Sequence, residues 1–136
     1  MDSTTVLLVD DEPFFLETLE KRMDLPGFHV LTAAGGKEGL AVLAERADVD
    51  VVLLDMQMPG MDGIQVLREI RRAYPLIVVI MLSGHTTIES ARMGMALGAF
   101  DYLIKPCPVD QILARIREAK TQKTVQEQKI NEARSL

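Results

Sequence analysis

The sequence is poor in the residues that mark several common classes of protein. It has one cysteine, Cys107, no tryptophan, and only 4% aromatic residues in 136. A single cysteine allows neither an intramolecular disulfide nor a cysteine-based zinc cluster, which fits a reducing cytoplasm. No apolar run approaches the roughly 18 residues that a membrane span requires, and no basic stretch precedes an apolar one at the N-terminus. We therefore expect a cytoplasmic protein without a membrane segment.

An excess of positive charge is also missing. Fifteen Lys and Arg residues stand against twenty Asp and Glu residues, which gives a net charge of −5. This sign is wrong for a surface that binds phosphate backbones, so the sequence argues against direct nucleic-acid binding. A hydrophobic share of 48% and a charged share of 26% are typical of a folded globular protein. The length indicates one domain.

Short apolar runs recur along the chain at fairly even spacing. They cover residues 6–9, 28–31, 51–54, 77–82 and 102–104. Most are continuous rather than alternating, which is typical of strands buried on both faces. Between them, apolar residues three and four apart predict helices. Strands that alternate with helices in this way predict a parallel sheet covered by helices on both faces.

Polar side chains follow several of the predicted strands. Asp10, Asp11 and Glu12 follow the first, Asp55 the third, Ser83 the fourth, and Lys105 and Pro106 the fifth. Ligands of an open parallel sheet bind beyond the carboxyl ends of the strands, so the three aspartates meet if the first and third strands are neighbours. Carboxylates packed together repel unless a cation or raised pKa values neutralise them. Carboxylate oxygens are ligands that suit Mg²⁺, so this ion is the expected occupant of the site.

This set of side chains suits phosphoryl transfer to a carboxylate. Asp55 can attack phosphorus, Mg²⁺ offsets the charge, and Ser83 and Lys105 can donate hydrogen bonds to the phosphoryl oxygens. Each residue alone has an ordinary explanation, such as a helix N-cap, so the combination carries the prediction. The chain has neither a Walker loop nor a dinucleotide fingerprint. It also lacks the Asp-x-Asp pair of haloacid-dehalogenase-like phosphatases, because Met56 and Gln57 follow Asp55.

Four segments carry a resemblance to a known family: residues 6–12, 53–63, 81–85 and 98–106. With them the chain resembles the receiver domains of two-component response regulators, both the single-domain chemotaxis type and the type attached to transcriptional activators. The resemblance implies a flavodoxin-like α/β fold, a doubly wound five-stranded parallel sheet in the order 2-1-3-4-5. We accordingly predict a receiver domain over residues 1–120 and a polar C-terminal helical extension or linker over residues 121–136.

The resemblance also implies who donates the phosphoryl group and which residues hold the metal ion. Asp55 would be the phosphoacceptor, and the donor would be the phosphohistidine of a sensor histidine kinase or a phosphotransfer protein. Asp11 and Asp55 would ligate Mg²⁺ or Mn²⁺ directly. Asp10 would do so through water, and Gln57 through its backbone carbonyl.

The remaining implied roles concern the switch. Lys105 would pair with the phosphoryl group, and its peptide bond to Pro106 would be cis. On activation Ser83 would move toward the phosphoryl oxygens and Tyr102 would rotate inward behind it. The output surface would comprise the fourth helix, the fifth strand and the fifth helix, and His85 would be a residue at the rim of the site.

We therefore expect a phosphorelay switch that takes part in its own phosphorylation and dephosphorylation, rather than a turnover enzyme. One alternative is a receiver-fold interaction module that works without phosphorylation, and the complete set of site residues argues against it. The other is a phosphatase of small phosphomonoesters.

The C-terminal tail leaves three interpretations open. Apolar or small residues fit a heptad spacing, but Lys123 and Gln126 interrupt the pattern. These residues are Ile112, Ile116, Ala119, Ile130 and Ala133. The tail is a solvated extension of the last helix, a helix that forms a homodimer, or the start of a linker to an output domain. A separate protein target is the further alternative for output.

Overall fold

The computed structural model describes residues 3–58, 60, 62–84 and 88–136. Strands and helices alternate along this part of the chain, as the apolar runs predict. The strands are β1 (Thr4–Val9), β2 (Phe28–Ala33), β3 (Val51–Asp55), β4 (Val78–Ser83) and β5 (Asp101–Ile104). The helices are α1 (Pro13–Arg22), α2 (Gly36–Glu45), α3 (Gly63–Ala73), α4 (Ile88–Ala96) and α5 (Val109–Ser135).

The strands form one parallel sheet in the order β2-β1-β3-β4-β5. This confirms the predicted doubly wound α/β fold. Val9 pairs with Leu54 across the β1–β3 boundary. The residues that follow these two, Asp10 and Asp55, are therefore brought to the same edge of the sheet. Ser83 pairs with Ile104 at the β4–β5 boundary, which brings Lys105 to that edge as well.

Alternate residues of the central strands enter two separate hydrophobic cores, which explains why the apolar runs are continuous. On one face, Leu7, Val52 and Val79 pack with apolar residues of α2 and α3. On the other face, Leu8 and Leu53 are among the strand residues that pack with α1 and α5. All residues of β1, β3 and β4 are buried, whereas the edge strands β2 and β5 are partly exposed.

Helix α5 runs without interruption from Val109 to Ser135, so it includes most of the predicted tail. Its residues Ile112, Ile116 and Ala119 are buried against the sheet. The first half of the predicted heptad pattern is therefore occupied within the domain and is not available to a second helix. Within the part of the chain that the structure describes, no helix combines the length and the apolar character needed to cross a membrane.

Candidate functional site

Three carboxylates meet at the carboxyl end of the sheet. Asp10 and Asp55 are buried, with 2% and 5% of their surface exposed, whereas Asp11 is exposed. One ligand oxygen of each lies within 4.8 Å of the others. Three closely spaced carboxylate oxygens are a donor set that suits a hard divalent cation such as Mg²⁺. The three aspartates that the sequence predicted to meet at this edge are thus brought together.

Asp55 ends β3 and its carboxylate is held by the loop that follows. Its Oδ1 accepts a hydrogen bond of 3.0 Å from the backbone N–H of Gln57. Burial raises the pKa of Asp55 to about 6, and the charges of Asp10 and Asp11 act in the same direction, while Gln57 and Lys105 oppose them. The raised pKa reflects a buried carboxylate among like charges. Asp55 is still largely ionised at neutral pH.

Lys105 extends from the end of β5 across the site. Its Nζ donates to Asp10 Oδ2 at 2.7 Å and to Glu12 Oε1 at 3.1 Å. Burial alone would lower the pKa of Lys105, but these two hydrogen-bonded carboxylates raise it above the usual value. The ammonium is therefore charged and close to the carboxylate cluster.

Lys105 is also fixed at its backbone. Its N–H donates to the carbonyl of Ser83 at 2.9 Å, and its peptide bond to Pro106 is cis. The backbone bond ties the end of β5 to the end of β4.

The other predicted site residues occupy different environments. Ser83 is the last residue of β4 and is 1% exposed. Tyr102 lies on the edge strand β5 with 40% of its surface exposed, so its side chain is at the surface. His85 lies outside the described residues, as do Pro59 and Met61 of the segments that carry the resemblance.

Two residues that contact Lys105 were not predicted from the sequence. Glu12 follows Asp10 and Asp11 after β1, and the sequence predicts no partner for it. Phe15 stands at helical spacing with other apolar residues of α1, a pattern that predicts a core position, yet its ring centroid lies 4.2 Å from Lys105 Nζ. The signal for Glu12 was its position directly after the aspartate pair. No local signal identified Phe15, because an aromatic residue at helical spacing is typical of a core position.

Comparison with known proteins agrees with this geometry. The family model of the response regulator receiver domain matches residues 6–117. The chain belongs to this family. The receiver domain is 35% identical to the DNA-binding transcriptional regulator NtrC of Salmonella typhimurium, over 96% of this chain and 28% of NtrC. It is 40% identical to the transcriptional regulatory protein GlrR of Escherichia coli, over 86% of this chain and 26% of GlrR.

The receiver domain thus spans about a quarter of the length of these curated relatives, from 26% to 28%. Among solved structures, it is similar to a response regulator receiver domain protein from Clostridium thermocellum. That similarity has a TM-score of 0.85 and 36% sequence identity, and it covers 90% of this chain and 98% of the other.

Proposed function

We propose that this receiver domain accepts a phosphoryl group on Asp55 from a sensor histidine kinase or a phosphotransfer protein, and so acts as a phosphorelay switch. The observation that carries the proposal is the position of Asp55. It is a buried carboxylate within a cluster that also contains Asp10 and Asp11, with the Lys105 ammonium bonded to that cluster. The cluster thus contains both an oxygen nucleophile and a carboxylate that binds a cation for the transferred group.

In the proposed reaction, a carboxylate oxygen of Asp55 attacks the phosphorus of phosphohistidine. A bond forms between this oxygen and phosphorus, the P–N bond breaks, and the imidazole leaves with the electron pair. The product is an acyl phosphate on Asp55. Only the ionised carboxylate attacks, and the pKa of about 6 leaves Asp55 mostly ionised above neutral pH.

Lys105 and Ser83 are proposed to bind the transferred group. The Lys105 ammonium supplies a positive charge for the phosphoryl oxygens, and the Ser83 hydroxyl, at the end of the neighbouring strand, supplies a hydrogen bond. Ser83 ends β4, the neighbour of β3, and Lys105 follows β5 at the same edge of the sheet.

Mg²⁺ or Mn²⁺ is the proposed cofactor. Asp11 and Asp55 would hold the ion directly, Asp10 through water, and Gln57 through its carbonyl. When bound, the ion would neutralise charge on the phosphoryl oxygens. Support comes from the three carboxylate oxygens within 4.8 Å of one another.

The proposed output runs through the α4–β5–α5 surface. Tyr102, exposed on β5, would rotate inward as Ser83 moves toward the phosphoryl group. Exposed apolar residues on the same surface include Met93 and Met95 of α4 and Ile104 of β5. They suit contact with an output domain or a separate target protein.

The surroundings and the extent of the domain also form part of the proposal. We propose a receiver domain over residues 1–120, with residues 121–136 as a helical extension or linker, in a cytoplasmic protein.

Homodimerisation through the tail would use the part of α5 beyond Lys123, where Ile130 is exposed. Light scattering over a range of concentrations tests this, and a strict monomer argues against it.

The experiment for the phosphoacceptor is intact mass after addition of acetyl phosphate, with and without Mg²⁺. We expect one added phosphoryl group on the original chain only when Mg²⁺ is present, and none on Asp55→Asn. Asp48→Asn, which removes an exposed carboxylate elsewhere, serves as the control and should accept the group normally. An adduct that persists in Asp55→Asn would contradict the proposal. No adduct on any chain would favour an interaction module that works without phosphorylation.

A further inference from the structure

Residues of the loop after β1 and of the first turn of α1 contact the Lys105 ammonium. Asp10 and Glu12 of the loop accept its hydrogen bonds at 2.7 and 3.1 Å, and the ring of Phe15 in α1 lies 4.2 Å from it. Lys105 is separated from Glu12 by 93 residues in sequence. The segment 10–15 therefore decides where the ammonium is held before any phosphoryl group arrives.

The two carboxylates that bind Lys105 differ in exposure. The Asp10 side chain is 3% exposed, whereas the Glu12 side chain is 64% exposed. Separation of Lys105 from Asp10 would leave a buried charge without its partner, which is strongly unfavourable. Glu12 can release the ammonium and be solvated instead, and an exposed ion pair of this kind contributes little to stability. Glu12 is thus the partner that a phosphoryl oxygen can replace.

Phe15 holds the ammonium by a different interaction. Its half-buried ring packs against the core that α1 and α5 form with the sheet. The face of an aromatic ring attracts a cation but accepts no conventional hydrogen bond. The ring therefore leaves the N–H donors of Lys105 free to bond to phosphoryl oxygens. Phe15 can therefore stay in contact with Lys105 while Glu12 is exchanged for the phosphoryl group.

We propose that Glu12 and Phe15 are positioning residues that act through Lys105: Glu12 is a displaceable counter-ion and Phe15 is a fixed support. This inference rests on the proposed function of Asp55. In transfer from acetyl phosphate, the bond between phosphorus and the acetyl oxygen breaks, acetate leaves with the electron pair, and Asp55 oxygen bonds to phosphorus. A phosphoryl oxygen takes the hydrogen bond that Lys105 had donated to Glu12.

The two residues should affect different kinetic quantities. Glu12 competes with the phosphodonor for Lys105, so Glu12→Gln should lower the half-saturating acetyl phosphate concentration by about threefold. Phe15 keeps the ammonium in place during transfer, so Phe15→Leu should lower the maximal phosphorylation rate by about threefold. Phe15→Tyr, which retains an aromatic face, should recover most of that rate.

The test measures initial phosphorylation rates of the full chain by intact mass, over a range of acetyl phosphate concentrations with Mg²⁺. Glu17→Gln is the matched control: Glu17 lies one turn further along α1, is 67% exposed and pairs with Lys21. It should behave as the original chain does. A half-saturating concentration that is the same in Glu12→Gln and Glu17→Gln would overturn the role of Glu12. A maximal rate unchanged in Phe15→Leu would overturn that of Phe15.

A second measurement separates positioning from a general loss of structure. In the original chain the ε-methylene protons of Lys105 should show an upfield ring-current shift in the NMR spectrum. This shift should persist in Glu12→Gln and disappear in Phe15→Leu. Absence of the shift from the original chain would overturn the contact with Phe15. If the original chain accepts no phosphoryl group, the proposed function fails and the inference fails with it; if it accepts the group normally but the variants match it, the inference alone fails.

Discussion

Asp50 and Lys123 form an ion pair of 2.8 Å that joins the start of β3 to the second half of α5. The same Asp50 oxygen accepts a hydrogen bond of 3.0 Å from Lys120, and the other oxygen accepts one of 2.9 Å from the backbone N–H of Thr5. Asp50 is 6% exposed and lies at the end of the sheet opposite Asp55. The family match ends at residue 117, so this cluster attaches the part of α5 beyond the match to the rest of the domain.

Substitution of Asp50 should therefore destabilise the domain. Burial would raise the pKa of Asp50, but its bonds to Lys123, Thr5 and Lys120 lower it overall. The ionised carboxylate is thus favoured in the folded state. Its contribution to stability is present at a pH above the usual pKa of a carboxyl group and is lost on acidification. Asp50→Ala should lower the free energy of unfolding near neutral pH by about 2–4 kcal/mol, measured by urea denaturation.

Asp48→Ala is the control for this prediction. Asp48 pairs with Arg46 at the surface, so its loss should leave the urea midpoint nearly unchanged. Amide exchange should also become faster around Lys120 and Lys123 in Asp50→Ala. Equal midpoints for the two variants would show that the buried cluster does not stabilise the domain.

The raised pKa of Asp55 predicts a pH dependence of stability in metal-free buffer. Between pH 3.8, the ordinary pKa of the group, and a pH of about 6, Asp55 is protonated in the folded state but ionised in the unfolded state. The contribution of Asp55 to the stability of the fold is therefore most favourable at a pH below 3.8, and it is lost as the pH rises through about 6.

Asp55→Asn replaces the carboxylate with an uncharged amide. It should be similar in stability to the original chain near pH ~4 and more stable by about 1–3 kcal/mol near pH ~8. Urea denaturation in EDTA at both pH values measures the difference. A difference that does not change with pH would argue that burial of the Asp55 charge is not unfavourable.

Addition of a divalent cation should offset the same repulsion. At about a tenfold excess over its dissociation constant, Mg²⁺ should stabilise the folded state by about 1.4 kcal/mol. This corresponds to a rise of roughly 3–6 °C in Tm for a domain of this size, measured by calorimetry. Asp11→Asn should reduce the rise strongly, because Asp11 is one of the three clustered carboxylates.

The control for the metal effect is Asp24→Asn, which alters an exposed carboxylate in the turn between α1 and β2. It should retain the full rise in Tm. An equal rise in Asp11→Asn and Asp24→Asn would mean that Mg²⁺ stabilises the domain at another place.

A methyl group at Gly63 should disturb the loop that follows Asp55. A Cβ atom there would lie 2.5 Å from the Cα of Met56 and 2.9 Å from its sulfur, so the backbone after β3 would have to move. Gly63→Ala should lower the free energy of unfolding by about 1–3 kcal/mol. It should also slow phosphorylation, because a shift of the Met56 backbone would displace the Gln57 N–H that holds the Asp55 carboxylate.

Gly84→Ala provides the comparison for Gly63→Ala. Among the residues that the structure describes, no atom lies within 4 Å of a Cβ placed at Gly84, so this variant should be as stable as the original chain or slightly more stable. Equal urea midpoints for the two alanine variants would show that the close approach of Gly63 to Met56 is relieved without loss of stability.

Much of the fold could be predicted because its signals are local. The run at residues 6–9 is continuous and apolar since β1 is central and buried on both faces. The edge strand β2 extends two residues further, to Ala33, than its apolar run at residues 28–31. The meeting of Asp10 with Asp55 could also be predicted, because parallel strands end at the same edge of a sheet.

The pairings of the charged residues could not be predicted. Lys120 and Lys123 lie on either side of the boundary between the predicted domain and its polar extension, and no local pattern indicates that both bind Asp50, which is 70 or more residues away. Likewise, heptad spacing in α5 suggested a seam for a second helix. Packing against the sheet instead buries Ile112 and Ile116 within the domain.

Local patterns in the sequence were enough to predict the order and type of the elements, the functional edge of the sheet, and the carboxylates that lie there. The folded structure was needed to show that Lys105 binds both Asp10 and Glu12 and lies against Phe15. The reason is physical: periodicity and strand ends are properties of neighbouring residues. The partner of a charged side chain depends on which elements pack together and on how deeply each charge is buried.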